Sequence, residues 1–291
     1  MKGITDTMDK TSNMDNTTKK VIFLDIDGTL AIPGETVPVP SALDVIRKAR
    51  KKGHYVFLCT GRSYCLMSHF MEFGFDGAVA SAGGYIFSGD QVIYDCPMTE
   101  EQKQKAMRVF KENGVFRTIE CKDGAYTDTE FTDYILKHTK GNVSSEMLRW
   151  QKQLRDALGF RPMEEYPGTP AYKLILMSPS MKNLDLCRPA LEEEFQFCIQ
   201  DITEHYVNCE LINRKFNKGT AVRQVCEHLC IPIENSIGFG DSMNDKEMLE
   251  TVGLGICMAN GNEQMKQLAD DVCPAVTEDG IQKAFLKYHL V

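Results

Sequence analysis

Val21-Ile22-Phe23-Leu24 is a fully apolar run that ends at two carboxylates, Asp25 and Asp27, followed by Gly28 and Thr29. Four consecutive strand-forming apolar residues present no polar side to water, so the run reads as a central strand buried on both faces. A charged pair cannot share that interior, which puts Asp25 and Asp27 at the strand's C-terminal end. Residues two apart in extended chain share a face. The two carboxylates should therefore point together into the crevice where open α/β sheets bind ligands. Anions this close repel each other, and a divalent cation or a shared proton is implied. Gly28 lets the chain turn sharply, and Thr29 brings a backbone N–H and a hydroxyl to the turn.

The elements that follow set the fold class. Ser41 to Lys52 reads as a helix, capped by Ser41 and stopped by Gly53. Tyr55 to Cys59 is a second apolar strand, Ser63 to Phe73 a helix, and Ala78-Val79-Ala80 a third strand. Strand–helix–strand–helix–strand order predicts parallel pairing with right-handed crossovers, hence a doubly wound, Rossmann-like α/β sheet. Near Tyr85 the alternation breaks. Tyr85-Ile86-Phe87 and Val92-Ile93-Tyr94 flank Ser88-Gly89-Asp90-Gln91 as a hairpin. A helix over Glu100 to Asn113 follows, with strands near Phe116–Ile119 and Ala125–Thr127, helices near Asp133 and Glu146, and a strand at Lys173 to Met177. Leu184 to Glu194 reads as a helix, and Phe197–Ile199 and Tyr206–Cys209 as strands. This stretch predicts an inserted α+β unit with its own antiparallel sheet. Alternation returns with a helix over Lys218 to Leu229, a strand at Ser236 to Phe239, a helix over Asp245 to Thr251, a strand at Gly253 to Met258, and a last helix near Ile281 to Tyr288.

Three further polar segments fall where such a sheet would place its loops. Gly240-Asp241-Ser242-Met243-Asn244-Asp245 directly follows a strand, and Asp245 can also cap the next helix. Cys59-Thr60-Gly61-Arg62 ends a strand ahead of a helix, where a hydroxyl and free N–H groups suit an anion. Asn217-Lys218-Gly219-Thr220 opens a helix; Lys218 reads either as a site cation or as a solvated charge, with Lys215 its nearest competitor.

A composition of 43% hydrophobic and 25% charged residues predicts a packed core. The net charge of −8 argues against a general nucleic-acid binder, which needs a basic face. A phosphate site would have to build its own local positive potential. The 11 cysteines form no metal spacing or disulfide framework and read as reduced, buried thiols of a cytoplasmic protein. No apolar run is long enough to span a membrane. The polar stretch at residues 1–18 reads as a disordered leader without a signal-peptide apolar region.

Taken together, Asp25–Leu30, Thr60, Lys218 and Gly240–Asp245, in this order, resemble the haloacid dehalogenase superfamily of phosphatases. The resemblance runs from about Lys19 over the rest of the chain. An insert between Thr60 and Lys218 is similar to the Cof-type branch with a C2 (C2B-like) α+β cap. It implies a catalytic core over residues 19–85 and 208–291 and a cap over 86–207. The branch often has Asn-Gly after its third strand; here Ala82 stands at the Asn position, within Ser81-Ala82-Gly83-Gly84.

The resemblance implies Asp25 as nucleophile and Asp27 as general acid/base. It implies Thr60, Gly61, Lys218 and Asn244 as phosphate binders, and Asp25, Asp27, Asp241 and Asp245 around a metal ion. The hard-oxygen donors suit Mg2+. The expected activity is hydrolysis of a small phosphorylated metabolite (sugar phosphate, nucleotide or cofactor phosphate) through an aspartyl phosphate, by a monomer or weak homodimer that binds neither nucleic acid nor membrane. A phosphomutase of the same fold and a non-catalytic phosphometabolite-binding protein are the alternatives. Glu130, Lys173 and Arg188 are candidate polar groups for choosing the substrate.

Overall fold

The computed structural model describes residues 18–130, 160–203 and 206–291. The expected leader and the helices near Asp133 and Glu146 lie outside the described residues. In chain order the strands are β1 (Val21–Leu24), β2 (Tyr55–Cys59), β3 (Gly77–Ala80), β4 (Tyr85–Ser88), β5 (Gln91–Asp95), β6 (Phe116–Cys121), β7 (Ala125–Thr127), β8 (Phe160–Pro162), β9 (Ala171–Ser178), β10 (Phe195–Ile202), β11 (Val207–Asn213), β12 (Ser236–Gly240), β13 (Leu254–Met258) and β14 (Asp271–Cys273). They form an eight-stranded sheet, β14-β13-β12-β1-β2-β3-β4-β5, and a six-stranded sheet, β10-β11-β9-β6-β7-β8. The described helices are α1 (Pro40–Lys51), α2 (Tyr64–Met67), α3 (Glu100–Glu112), α4 (Met181–Leu191), α5 (Lys218–His228), α6 (Lys246–Thr251), α7 (Glu263–Leu268) and α8 (Gly280–Lys287).

The large sheet is parallel from β14 to β3, and β4 and β5 add an antiparallel edge. β1 lies inside it and is fully buried. Ile22 and Leu24 pack with α1 and α8 on one face, and Val21 and Phe23 pack with α5, α6 and α7 on the other. That division is why the run has no polar member.

The smaller sheet is antiparallel apart from the β7–β8 pair. Ile119, Leu174, Leu176, Cys209 and Leu211 turn one face toward α3 and α4. The alternate residues Glu120, Lys173, Asn208 and Glu210 are buried on the other face.

The two sheets divide the chain elsewhere than at 85/86 and 207/208. β4 pairs with β3, so the hairpin prolongs the large sheet to Asp95. β11 lies between β10 and β9, so residues up to Asn213 belong to the small sheet. A hairpin reads the same locally whether it starts a new sheet or edges an old one; only its partner strand decides.

Smaller differences have local causes. Pro40, at the first turn of α1, opens that helix, and Ser41 does not cap it but donates through Oγ to Asp279 (2.6 Å). The helix expected over 63–73 is one α-turn followed by a 3-10 segment, Ser68–Phe73. α5 begins at Lys218 under a capping box formed by Asn217 and Thr220. Among the described residues no helix is long and apolar enough to cross a membrane.

Candidate active site

β12, β1 and β2 are parallel neighbours, with Leu24 in register with Phe239 and Leu58. Their C-terminal ends therefore open at one edge of the sheet. Asp25 follows β1, Thr60 follows β2 and Asp241 follows β12. Together with Asp27, Gly61, Arg62, Gln200, Glu210, Ser242 and Asn244 they line a cavity of about 150 Å³. A larger cavity of about 520 Å³ shares Gly61, Gln200, Glu210, Ser242 and Asn244 with the first and extends over Ala82, Ile212 and Phe216.

Gly28 makes the approach of the two acidic loops possible. Its φ is +85°, and a Cβ there would stand 2.2 Å from Asp241 Oδ2. Thr29 turns away from the cavity: it lies among Val39, Ala42 and Ile281, and its hydroxyl has no hydrogen-bond partner.

Lys218 is a buried cation of the site, as is Arg62. Its ammonium donates to Asp25 Oδ1 (2.8 Å) and Asp245 Oδ1 (2.5 Å), with Asn244 Oδ1 at 3.4 Å. Gly219 lets α5 come close enough for this, because a Cβ there would meet the Glu247 carbonyl at 2.5 Å. Burial opposes the charge on Lys218, yet the fields of Asp245 and Asp25 outweigh it and hold its pKa above the ordinary lysine value.

Each expected site residue has a definite place. Asp245 spends both oxygens: Oδ1 on Lys218, and Oδ2 on the N–H groups of Asp241 (3.1 Å) and Ser242 (3.2 Å). Asp27 accepts a two-pronged contact from Arg62, Nη2 to Oδ1 at 2.6 Å and Nε to Oδ2 at 2.9 Å. Thr60 is buried and its hydroxyl accepts the Arg62 N–H. Gly61 borders both cavities, and Asn244 bridges Lys218 and Ser242.

The sequence pattern assigns Arg62 no role, although an arginine next to a Thr-Gly turn, with carboxylates gathered at neighbouring strand ends, is a usable signal. Glu210 and Gln200 also went unnoticed; alternation in Val207-Asn208-Cys209-Glu210-Leu211 marks Glu210 as facing away from the apolar side. Of the three candidate substrate-choosing groups, Lys173 lines neither cavity but donates to the Gly61 carbonyl at their border. Glu130 lines a separate surface pocket with Arg117 and Asp128, and Arg188 pairs with Asp185 on α4.

The electrostatics leave room for a cation. Oxygens of Asp25, Asp241 and Asp245 lie within 4.8 Å of one another. Three carboxylates against the single Lys218 ammonium leave two negative charges. Asp241 Oδ1 is buried without a partner. Burial, then repulsion from Asp245, pushes Asp25 up to about 7, and burial, then repulsion from Asp25, pushes Asp241 up to about 8. A divalent ion held by hard oxygens is the group that fits this deficit.

The model of the haloacid dehalogenase-like hydrolases matches residues 22–285. The chain belongs to that family. Phosphatase YwpJ of Bacillus subtilis (strain 168) is 26% identical over 291 residues, covering 94% of this chain and 100% of that protein. The HMP-PP phosphatase of Yersinia pseudotuberculosis serotype IB (strain PB1/+) is 25% identical over 264 residues, covering 85% and 86%. A solved HAD subclass IIB sugar phosphatase superposes with a TM-score of 0.73 at 23% identity, over 94% of this chain and 100% of that one, a likeness of fold. This haloacid dehalogenase-like hydrolase is an enzyme of the phosphatase type.

Proposed function

We propose that this protein is a magnesium-dependent phosphatase that passes the phosphoryl group of a small metabolite first to Asp25 and then to water. The observation that carries the reading is the convergence of Asp25 and Asp241 on one cavity, with the buried Lys218 ammonium hydrogen-bonded to Asp25 beside it and net negative charge left over. Asp25 and Asp241 would hold the ion, with the backbone carbonyl of Asp27 as a further hard oxygen and Asp245 as the third carboxylate beside it, itself tied to Lys218 and the loop. Bound there, magnesium would offset the repulsion between these carboxylates and an anionic phosphate.

The remaining work belongs to the chain. An oxygen of Asp25 attacks phosphorus as the bond to the leaving oxygen breaks, and the bonding electrons stay on that oxygen. Asp27, protonated at first and then keeping one oxygen as acceptor for Arg62, gives it a proton, and afterwards takes one from the water that cleaves the acyl phosphate and releases inorganic phosphate. Thr60 and Gly61 orient the phosphoryl oxygens, and Lys218 keeps Asp25 in line. The larger cavity receives the leaving group. The names of the relatives make HMP-PP and sugar phosphates the first substrates to test.

Phosphate release by Asp25→Asn, compared with wild type in magnesium, tests the mechanism. The expected result is loss of turnover by more than about 10⁴-fold with the fold kept. Retained turnover in that variant removes the covalent route. EDTA should silence the wild type and magnesium restore it; better restoration by zinc contradicts the hard-oxygen assignment.

A further inference from the structure

Three consecutive carbonyls of the loop after β2 are each held by a hydrogen bond. The Thr60 carbonyl accepts from the Ala82 N–H (3.0 Å), and the Arg62 carbonyl accepts from the Ser81 N–H (2.7 Å). Both donors sit in left-handed backbone, with φ of 51° at Ser81 and 56° at Ala82, a conformation that costs a non-glycine residue energy. The core thus anchors residues 60 and 62 with its own strained turn. The carbonyl between them, that of Gly61, is held from outside the core: Lys173 Nζ, on β9 of the cap, donates to it at 2.8 Å.

Lys173 is fully buried, so its ammonium has no water to fall back on. Glu210 Oε1 accepts from it at 2.5 Å, and Glu120 Oε2 lies 3.5 Å away. Glu120 stands directly across β6–β9 from Lys173, and Glu210 is its diagonal neighbour on β11. The two carboxylates fix the ammonium on the core-facing side of the cap sheet. What it grips is the residue between Thr60, which lines the smaller cavity, and Arg62, which holds both oxygens of Asp27. Arg62 is itself pinned, with its guanidinium 5.1 Å from the Phe70 ring centre, so a shift at Gly61 must reach Asp27 through a short, stiff path.

We infer that Lys173 is a positioning residue for the general acid: the docked cap holds the Gly61 carbonyl, and the Gly61–Arg62 segment in turn sets Asp27 against the leaving oxygen. A cap that lifts takes Lys173 with it and releases the middle of the loop. Asp27 is then aligned for proton donation when the cap is closed over a substrate. This inference rests on the reading of Asp27 as the acid.

The test compares two leaving groups. An aryl phosphate such as p-nitrophenyl phosphate expels a stable phenolate and needs little protonation; a simple alkyl phosphate needs the proton. Asp27→Asn should lower kcat/KM on the alkyl ester about 100-fold more than on the aryl ester. Lys173→Met should show the same bias at about 10-fold. A smaller folded fraction would lower both activities equally, so the ratio separates positioning from mere stability. Because Lys173→Met strands two buried carboxylates, the pair Lys173→Met with Glu120→Gln is measured beside it. Adding Lys173→Met to Asp27→Asn should not increase the bias further.

Equal losses on both esters in the lysine variants, with Asp27→Asn still biased, overturn the inference alone. Failure of both lysine variants to fold makes Lys173 structural and overturns it too. No bias in Asp27→Asn, or a wild type silent toward both esters, instead sinks the reading on which it rests.

Discussion

The mouth of the large sheet and the core-facing side of the cap sheet both bury charge, but they do so differently. At the mouth, Asp25, Asp27, Asp241 and Lys218 sit in loops or at a helix start, just beyond apolar strands. On the cap, Glu120, Lys173 and Glu210 sit in mid-strand, alternating with residues that face the cap's own apolar core. The mouth carries an excess of negative charge that suits a cation, and an anionic substrate would be received only through that cation. The cap cluster grips a backbone carbonyl of the other sheet through Lys173, and its Glu210 borders both cavities. Charge at strand ends is therefore read as chemistry, and charge within a strand as alignment of that chemistry.

The sharpest way to break the contrast is Lys218→Met. It leaves Asp25 and Asp245 buried without their cation, which should cost about 3–5 kcal/mol of stability. Turnover should also fall about 10²–10³-fold. Denaturant melts and phosphate release measure the two effects. A variant as stable and active as wild type would make Lys218 a bystander.

Acid–base linkage sharpens the contrast further. Without a cation, Asp25 is raised to about 7 and Asp241 to about 8 from an ordinary 3.8. These two carboxyls then bind more protons in the folded protein than in the unfolded chain between pH 4 and 8, while His54 and His69, lowered by burial, act the other way only below pH 6.5. The stability that the two carboxyls contribute therefore falls as pH rises through that window. The raised value on Lys218 does not act there, since that lysine is charged in both states throughout the window. In EDTA the Tm should drop by about 3–8 °C from pH 5 to pH 8, and magnesium should raise it more at pH 8, where fewer protons compete. A Tm that climbs over this range, or a larger magnesium shift at pH 5, would contradict the charge deficit.

The smallest effect is expected on the cap's far side. Arg188→Ala removes an exposed pair with Asp185 and a contact 4.8 Å from the Phe197 ring centre. It should change stability by about 0.5 kcal/mol or less and leave kcat/KM for every substrate unchanged. A change in substrate preference would restore Arg188 as a choosing residue.

Much of the mouth was legible because local rules place it. An apolar run must be interior, a carboxylate after it must leave the interior, and parallel strands share the edge at which they end. That logic located Asp25, Thr60 and Asp241 without knowledge of their partners. It did not locate the pairing of Asp27 with Arg62. The resemblance puts Asp245 around a cation; Lys218 and the N–H groups of its own loop as its partners came only with the structure.

By itself, then, the sequence determined the doubly wound core, the strand ends that carry acid, and the helix start that carries Lys218. These follow from hydrophobic period and turn chemistry, which act between near neighbours. Only the tertiary structure decided that the hairpin at 85–95 edges the large sheet, that β11 belongs to the small one, and that Lys173 reaches Gly61 across 112 positions of chain. The physical reason is that a buried charge is stabilised by whichever groups packing brings to it, and no local pattern records a partner that arrives from another sheet.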